Sequence, residues 1–452
     1  GISALIDDAG NGAQDRNGHG THTAGSVLGS GVLSGSDPQN HNYSGSFAGM
    51  APESELVFQA IGGGPDDYSL IGIPSDIGDL FDEAYQLGAR VHSDSWGSAV
   101  GGSYDSSAQQ ADEYVWNNPD MLIVTSAGNE GEDNDGDGVI DSNSIGSPAT
   151  AKNVVTVGAS ENVRDSGGYS SSTYGSLWGY PAQPISSDET ADDAHGIAAF
   201  SSRGPCDDGR IKPDIVAPGT NVISARSHME SAGVGWGVYN QDYIYMGGTS
   251  MAAPIVAGSA SLVREHLIDS GLQSPSAAIV KAVLLNGADD ITPGQYGGGE
   301  EQEVNGLGDN AQGWGLLNLK DALNPDNPFF INFLDNKTGL NTDDGYKNEI
   351  HVTDTSVPVK VTLVWSDYPS TTLASKNLVN DLDLQLVGPQ GNRYRGNDNT
   401  LPFDDEKDDT NNVEQVKIVN PVMGEYKVVV NGTNVVHGPQ PFALAITYGT
   451  AM

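Results

Sequence analysis

The sequence predicts an α/β domain with a mostly parallel sheet flanked by helices in residues 1–325, followed by an antiparallel β-sandwich or jelly-roll domain in residues 326–452. Short apolar runs alternate with helical patterns in the first part. The texture changes near Leu323–Pro328 (LNPDNP), and after it apolar residues recur with a period of two. Alternating strands and helices are typical of a parallel sheet covered by helices, whereas a period of two is typical of half-buried strands.

The strands of the first domain are predicted from short apolar runs bounded by Gly, Asn or Pro, as in buried parallel strands. A helical pattern covers Asp76–Leu87. Thr249–Leu267 is apolar on nearly every face in its first half, which predicts a buried helix, and Pro254 falls near its start, where proline is tolerated. Two polar stretches, Ser166–Gly196 and Gly294–Asn310, are interpreted as surface insertions. The predicted strands are Leu56–Ile61, Met121–Ala127, Val154–Ala159 and Ile211–Ala217.

The second domain is predicted from segments in which apolar and polar residues alternate and which Gly, Asn and Pro punctuate. Its roughly 120 residues are within the usual size range of a domain. The predicted strands are Val359–Trp365, Asp381–Val387, Glu425–Val430 and Phe442–Thr447.

The charge of the chain excludes several classes of partner. Sixty acidic and 20 basic residues among 452 give a formal net charge of −40, which opposes binding to nucleic acid or to anionic membranes. There is no run of 18 apolar residues, so we expect no transmembrane helix. The single cysteine, Cys206, cannot form an intrachain disulfide, so extracellular stability would need another cross-link such as a metal.

Two segments carry residues suited to nucleophilic catalysis. In Asn17–Gly25 (NGHGTHTAG), His19 lies among small residues at a helix start and could approach a nucleophile closely; the alternative is a turn with two surface histidines. In Gly247–Pro254 (GGTSMAAP), Ser250 follows a glycine turn and opens a buried helix. There it would present its hydroxyl and backbone N–H to developing negative charge. The alternative is an ordinary serine N-cap.

A third segment, Ser126–Gly131 (SAGNEG), follows a predicted buried strand, and Asn129 could donate its side-chain N–H to an oxyanion. The alternative is a turn asparagine, which is common at strand ends. Together, the three segments resemble the motifs of the subtilisin-like serine proteases, the subtilases. Further resemblance is carried by GMAP (49–52), SWG (95–97), FSSRGP (200–205), KPD (212–214) and APGT (217–220).

The resemblance extends past the first domain. The segments LVWSD (363–367), LVNDLDL (378–384) and NNVE (411–414) look like the C-terminal β-barrel of a subtilase subgroup that contains alkaline, oxidation-resistant bacterial proteases. It implies a subtilisin-like parallel sheet and a secreted endopeptidase acting on polypeptides. The alternative of another class is a catalytically silent relative that binds peptides or calcium.

The resemblance assigns roles residue by residue. It implies that Ser250 is the nucleophile, that His19 is its general base, and that Asn129 and the Ser250 N–H form the oxyanion hole. His22 is expected to be structural. The substrate backbone would pair with one wall of the primary specificity pocket, Ser95, Trp96 and Gly97, opposite a second wall formed by Ala127 and Gly128.

The sequence departs from the subtilase pattern at the triad aspartate. No Asp-Ser-Gly or Asp-Thr-Gly motif precedes His19, and the nearest imitation, Leu5–Gly10 (LIDDAG), puts Asp8 only 11 positions before it. We therefore expect that the first strand is missing from this polypeptide, and that its own N-terminal segment, or a propeptide, is a partner. Without the aspartate, residues 1–452 alone should be poorly active.

Calcium is expected in the loop that follows Asn129. Residues 133–141 (DNDGDGVID) match an EF-hand-type loop, with carboxylates at positions 1, 3, 5 and 9, glycine at position 6 and a backbone carbonyl at position 7. Position 12 is Ser144 instead of glutamate, so one bidentate ligand is missing or comes from elsewhere. The alternative is a solvated acidic loop. The predicted ligands are Asp133, Asp135, Asp137, Val139 and Asp141.

A second set of candidate calcium ligands lies in the C-terminal domain, where the resembling subgroup binds calcium. Solvated turn carboxylates are the alternative. The candidates are Asp381, Asp383, Asp398, Asn411, Asn412 and Glu414.

Overall fold

The structure is a computed structural model that describes residues 1–64, 68–323, 330–398 and 407–450. The predicted domain boundary, between residues 325 and 326, lies outside these described residues. Within them, the first part alternates strands and helices and the second part is made of strands.

The helices and strands of the first part follow the predicted order with some additions. The strands are β1 Ile2–Ile6, β2 Leu56–Gln59, β3 Val91–Asp94, β4 Leu122–Ser126, β5 Val155–Ser160, β6 Ile215–Pro218, β7 Val222–Ala225, β8 Gly237–Val238 and β9 Tyr243–Met246. The helices are α1 His19–Leu28, α2 Gly78–Gln86, α3 Ser106–Asn117, α4 Tyr174–Trp178, α5 Thr249–Asp269, α6 Ala277–Gly287 and α7 Leu319–Leu323.

The parallel strands of the described chain fall into two separate sheets. One has the order β3-β4-β5-β6, and the other pairs β1 with β2. No backbone ladder joins the two sheets, so β2 and β3 each have a free edge within the described residues, and a groove of about 970 Å³ lies between them. One polar contact crosses it, from His92 Nε2 on β3 to Gln59 Oε1 on β2, at 3.0 Å.

The predicted α/β fold is confirmed, with two local corrections. The predicted strand Ile211–Ala217 begins only at Ile215, because Pro213 has no N–H for a ladder and the residues before it form other contacts. β1 lies in the first six residues, where no strand was predicted; its exposed Ile2 and Leu5 give no buried pattern.

The helix that carries Ser250 is largely buried. α5 packs against β3–β6 and against α1 and α6, as its apolar first half predicts. Pro254 is its sixth residue, and Gly258 allows a close crossing, since a Cβ there would lie 2.7 Å from that of Met50.

The predicted insertions are more buried than the sequence suggested. Ser166–Gly196 contains α4, and Tyr174 and Ile185 within it are at most 1% exposed. Gly294–Asn310 buries Val304 completely. Both stretches are polar on average, so a few buried apolar residues do not show in their composition.

The second part forms antiparallel sheets around a common apolar core. Its strands are β10 Phe330–Leu340, β11 Gly345–Val352, β12 Val359–Val364, β13 Asn380–Val387, β14 Arg393–Arg395, β15 Val413–Ile418, β16 Gly424–Val435 and β17 Gln440–Tyr448. Over the described residues, the sheets have the orders β10-β17-β12-β15 and β11-β16-β13-β14. Alternate residues of the strands in both sheets form this core.

One sheet of the second part packs on the first through α6, which contacts β10, β12 and β17. At the same junction, Lys152 and Asp367 form an ion pair of 2.5 Å, and both side chains are completely buried. The Lys152 ammonium also donates to the carbonyls of Tyr368 (2.6 Å) and Asn377 (2.8 Å). No helix in the described ranges is long and apolar enough to cross a membrane.

Candidate active site

Ser250 lies in the first turn of α5, directly after the glycine turn that the sequence predicted. Gly248 precedes the helix with φ 137°, a conformation that favours glycine. The Ser250 hydroxyl donates to the Ser95 carbonyl at 3.2 Å, and the Ser95 hydroxyl donates to the Ser250 carbonyl at 2.8 Å. Residues 155 positions apart are thus brought together.

Asn129 lies beside the same helix start. It follows β4 and Gly128, whose φ of 111° directs the chain toward α5. Its Oδ1 accepts from the Thr249 N–H at 2.9 Å and from the Thr249 hydroxyl at 3.1 Å. Because Oδ1 is held this way, Nδ2 is the atom that remains to donate to a ligand. Thr249 was not predicted, although a hydroxyl directly before the serine was a visible signal.

His19 is the first residue of α1, preceded by Gly18 at φ 90°. α1 packs against α5, and a Cβ on Gly18 would lie 3.8 Å from Met246 Cε, four positions before Ser250. The two helices that begin with His19 and Thr249 therefore meet. Burial lowers the pKa of His19, and the nearby Asp15 carboxylate partly opposes this.

His22 is structural, as expected. It is completely buried, and its Nε2 lies 3.0 Å from the Val222 carbonyl. Burial lowers its pKa to about 4.

No carboxylate in the described parts of the chain forms an ion pair with the His19 ring. Asp15 is the nearest in sequence, but its oxygens accept from the N–H groups of Gly18 and Thr21 at 2.7 Å each. Asp7 is exposed and accepts from the Gly12 N–H at 2.7 Å, which lowers its pKa. For Asp8, burial and the nearby Glu83 raise the pKa.

The predicted pocket walls lie near the nucleophile. The Trp96 indole donates to Asp94 at 3.0 Å, which fixes the ring beside the groove. A Cβ on Gly97 would lie 2.6 Å from the Ser147 carbonyl, so glycine is required by close approach. In the second predicted wall, Ala127 is completely buried, and the Gly128 N–H donates to the Thr249 hydroxyl at 3.3 Å, next to Ser250.

A profile of the Subtilase family matches residues 4–315, which is more than half of the chain. The chain belongs to the subtilase family. Relatives of this subtilase include the serine protease/ABC transporter B family protein tagD of Dictyostelium discoideum, which is 28% identical over 94% of this chain and 28% of the relative. The serine protease AprX of Bacillus subtilis is 31% identical over 65% of this chain and 58% of the relative. The chain thus spans less than two thirds of either relative.

Solved structures include one of the prenylagaramide maturation protease PagA. It resembles this subtilase with a TM-score of 0.45 and 22% identity, over 71% of this chain and 85% of that chain.

The acidic loop of this subtilase brings its first three carboxylates together. Asp133, Asp135 and Asp137 offer oxygens that all lie within 4.8 Å of one another. Asp133 also accepts from the N–H groups of residues 136, 137 and 138, which closes the loop around it. Asp141 instead accepts from Asn134, both from its N–H (3.0 Å) and its amide (2.9 Å). The Val139 N–H donates to Asp137 at 2.8 Å.

The acidic residues of the second part of the subtilase are less compact, since no other group of three carboxylates this close occurs in the described ranges. Burial raises the pKa of Glu414 well above its usual value, and burial together with Asp383 raises that of Asp381 to about 7. Asp383 is paired with Lys407 at 2.6 Å. Asp398 lines a different, small cavity between the two parts.

The two predicted asparagines of this region have other partners. Asn412 donates to the carbonyls of Trp365 at 2.8 Å and Lys152 at 3.1 Å, so its amide serves the junction between the two parts. Asn411 accepts from the Ile211 N–H at 2.8 Å through Oδ1 and donates to Asp408. The Oδ1 atom of Asn411 is thus already engaged, whereas the bonds of Asn412 use Nδ2, and the role of Asn412 as a calcium ligand stays a prediction.

Proposed function

We propose that this chain carries the catalytic machinery of a serine endopeptidase, in which Ser250 is acylated by a polypeptide and the acyl group is then transferred to water. The observation that carries the proposal is the meeting of Ser250, Ser95 and Asn129 at the start of α5. A hydroxyl at a buried helix start, beside a carboxamide donor, suits acyl transfer. Relatives described as serine proteases support the same reaction.

The proposed mechanism begins with attack of Ser250 Oγ on the scissile carbonyl, while His19 takes its proton. Burial lowers the pKa of the His19 ring, which favours the neutral form that a general base needs. The Ser250 N–H and Asn129 Nδ2 donate to the oxyanion. His19 then gives its proton to the leaving amine, and water attacks the acyl-enzyme with the same proton transfers.

The decisive experiment is labelling of the full-length protein with a fluorophosphonate, followed by mass spectrometry. We expect the label on Ser250, because only an activated hydroxyl reacts. Denatured protein is the control. A native protein that binds peptides but leaves Ser250 unlabelled would favour the alternative, a catalytically silent binding protein.

For the third member of the triad, we propose that an additional extended segment fills the groove between β2 and β3 and brings a carboxylate to His19. Both facing strands have a free edge, and His19 lines the groove. A strand inserted between them would satisfy both edges and join the two sheets. An upstream segment that carries an aspartate is the proposed source.

Addition of that upstream segment should therefore raise kcat strongly. Expression of residues 1–452 with the segment, compared with a version in which its aspartate is changed to asparagine, should show a difference of about 10⁴ in kcat. The two proteins have the same length, so the comparison separates the carboxylate from strand insertion. Full activity of residues 1–452 alone, or equal activity of the two versions, would contradict the proposal.

We also propose that the 133–141 loop binds calcium, mainly through Asp133, Asp135 and Asp137. The compact carboxylates would repel one another without a cation. Asp381, Asp383 and Glu414 are the proposed ligands of a second ion, where calcium would offset the burial of their charge. Asp398 is a less direct candidate.

Loss of loop carboxylates should lower thermal stability in the presence of calcium. Calcium at about 100 times its Kd adds about 2.7 kcal/mol to stability, and D135N/D137N should lose this gain. The matched control is E300Q/E301Q, which removes two exposed carboxylates elsewhere. Thermal melts with calcium and with EGTA make the comparison. An unchanged calcium dependence in D135N/D137N would rule out the loop as a site.

We further propose that the enzyme is secreted. Calcium is plentiful outside the cell, and bound calcium could supply the stability that disulfides give to other secreted proteins, since a chain with one cysteine cannot form an intrachain disulfide. Recovery of labelled protein only from cells, with none in the culture medium, would contradict this.

A further inference from the structure

A second pocket opens beside Asn129 and the glycine turn before Ser250. Its volume is about 600 Å³, and Asn129, Gly247 and Gly248 form one side. Four aromatic rings form the other walls: Trp178, Tyr180, Phe200 and Trp236. The groove that contains His19 and residues 95–97 has other walls. The aromatic pocket and that groove share no lining residue.

The rings of this pocket are packed against one another. The centroid of Trp236 lies 5.0 Å from that of Tyr169 in a stacked arrangement and 5.6 Å from that of Trp178. Phe200 lies 5.7 Å from Trp178, edge to face. A Cβ on Gly247 would lie 2.1 Å from the Trp236 ring, so this ring rests directly on the serine motif.

Hydrogen bonds anchor the pocket wall formed by α4 and the residues after it. Tyr174 is completely buried, and its hydroxyl donates to Glu161 at 2.7 Å. The Tyr180 hydroxyl donates to the Gly131 carbonyl at 2.5 Å, which ties the segment to the chain after Asn129. Despite this support, Trp178 is 44% exposed. Ordered aromatic surface left open in a concave pocket is typical of a ligand site.

We propose that this pocket binds a large aromatic side chain on the leaving-group side of the scissile bond. The inference rests on the proposed peptidase function. If the acyl part of the substrate pairs with residues 95–97, the pocket beside Asn129 and Gly247 is left for the substrate residues of the departing amine. Flat rings stack favourably on Trp178 and Trp236 at little cost in conformational entropy.

Two carboxylates also line the pocket, but they favour a cationic side chain less. Asp133 already accepts three backbone N–H groups of its own loop. Glu132 is exposed to solvent. Four aromatic rings line the pocket against these two carboxylates, so an aromatic ligand contacts more of its walls.

The kinetic test uses peptides that are identical before the cut and carry Phe, Ala or Lys after it. We expect the full-length protein to cut the Phe peptide with a kcat/KM about 10-fold or more above that of the Ala peptide. W178A should lose most of this preference, yet keep its rate on a methyl ester with the same acyl part, because methanol is too small to reach the rings. W116A, a tryptophan change outside the pocket, is the control. No preference for Phe, preference for Lys, or an unchanged preference in W178A would overturn the inference.

A binding measurement tests the pocket independently of catalysis. Phenylalanine amide should quench the tryptophan fluorescence of S250A at concentrations about 10-fold lower than alanine amide, and W178A/S250A should lose this difference. Equal affinity for the two amides would overturn the inference even if the enzyme is active. Conversely, if Ser250 is not labelled but phenylalanine amide still binds selectively, the proposed peptidase function is wrong, whereas the aromatic binding pocket is supported.

Discussion

S250A should lower kcat by about a million-fold, because no other group in the proposed mechanism can form the acyl-enzyme. The measurement is initial rates on a chromogenic peptide with the full-length protein. S259A is the matched control: Ser259 lies in the same helix and its hydroxyl donates to the Ile255 carbonyl at 2.8 Å, away from the proposed chemistry. Its activity should stay near that of the parent protein.

N129A separates the oxyanion hole from substrate binding. Loss of one oxyanion donor should reduce kcat by about 10²–10³ and leave KM nearly unchanged, since Nδ2 meets the oxyanion rather than the ground-state substrate. An increase in KM with kcat unchanged would show instead that Asn129 serves only to bind the substrate. If S250A keeps its activity, Ser250 is not the nucleophile.

K152M should lower the free energy of unfolding by about 3–5 kcal/mol. Lys152 and Asp367 are both completely buried, and removal of the ammonium leaves the carboxylate without its counter-charge inside the protein. The Val379 and Asn380 N–H groups still donate to Asp367 at 2.8 Å each, but they do not neutralise it. Urea denaturation of the full-length protein measures the loss.

Two further variants distinguish a charge effect from loss of packing. K152M/D367L removes both charges and should recover much of the stability, because the desolvation penalty disappears with them. K376M breaks an exposed pair with Asp409 and should cost less than about 1 kcal/mol. If K152M costs no more than K376M, the buried pair does not stabilise the junction.

The second part of the chain has two candidate roles: it could stabilise the first part or bind substrate. Lys152, Asp367 and Asn412 form one buried network across the junction, and α6 packs on three strands of the adjoining sheet. These contacts support a stabilising role.

Local pattern was sufficient for the elements that carry the site. The buried β4 and α5 were predicted within a few residues, because a continuous apolar run bounded by glycine leaves few alternatives. The glycine turn before Ser250 was also predicted from the sequence. Strands with a mixed or exposed pattern, such as β1, β10 and β11, were not predicted, since their pairing depends on distant partners.

The sequence by itself determined the α/β class of the first part, its most apolar strands and helix, and the positions of the Ser, His and Asn motifs, because short-range periodicity and turn residues decide these. Only the tertiary structure decided which distant groups meet. Three features depend on residues that are far apart in the chain. They are the groove between β2 and β3, the hydrogen bond from the Thr249 N–H to Asn129 Oδ1, and the aromatic pocket. Such contacts form when whole elements pack, and no local pattern records them.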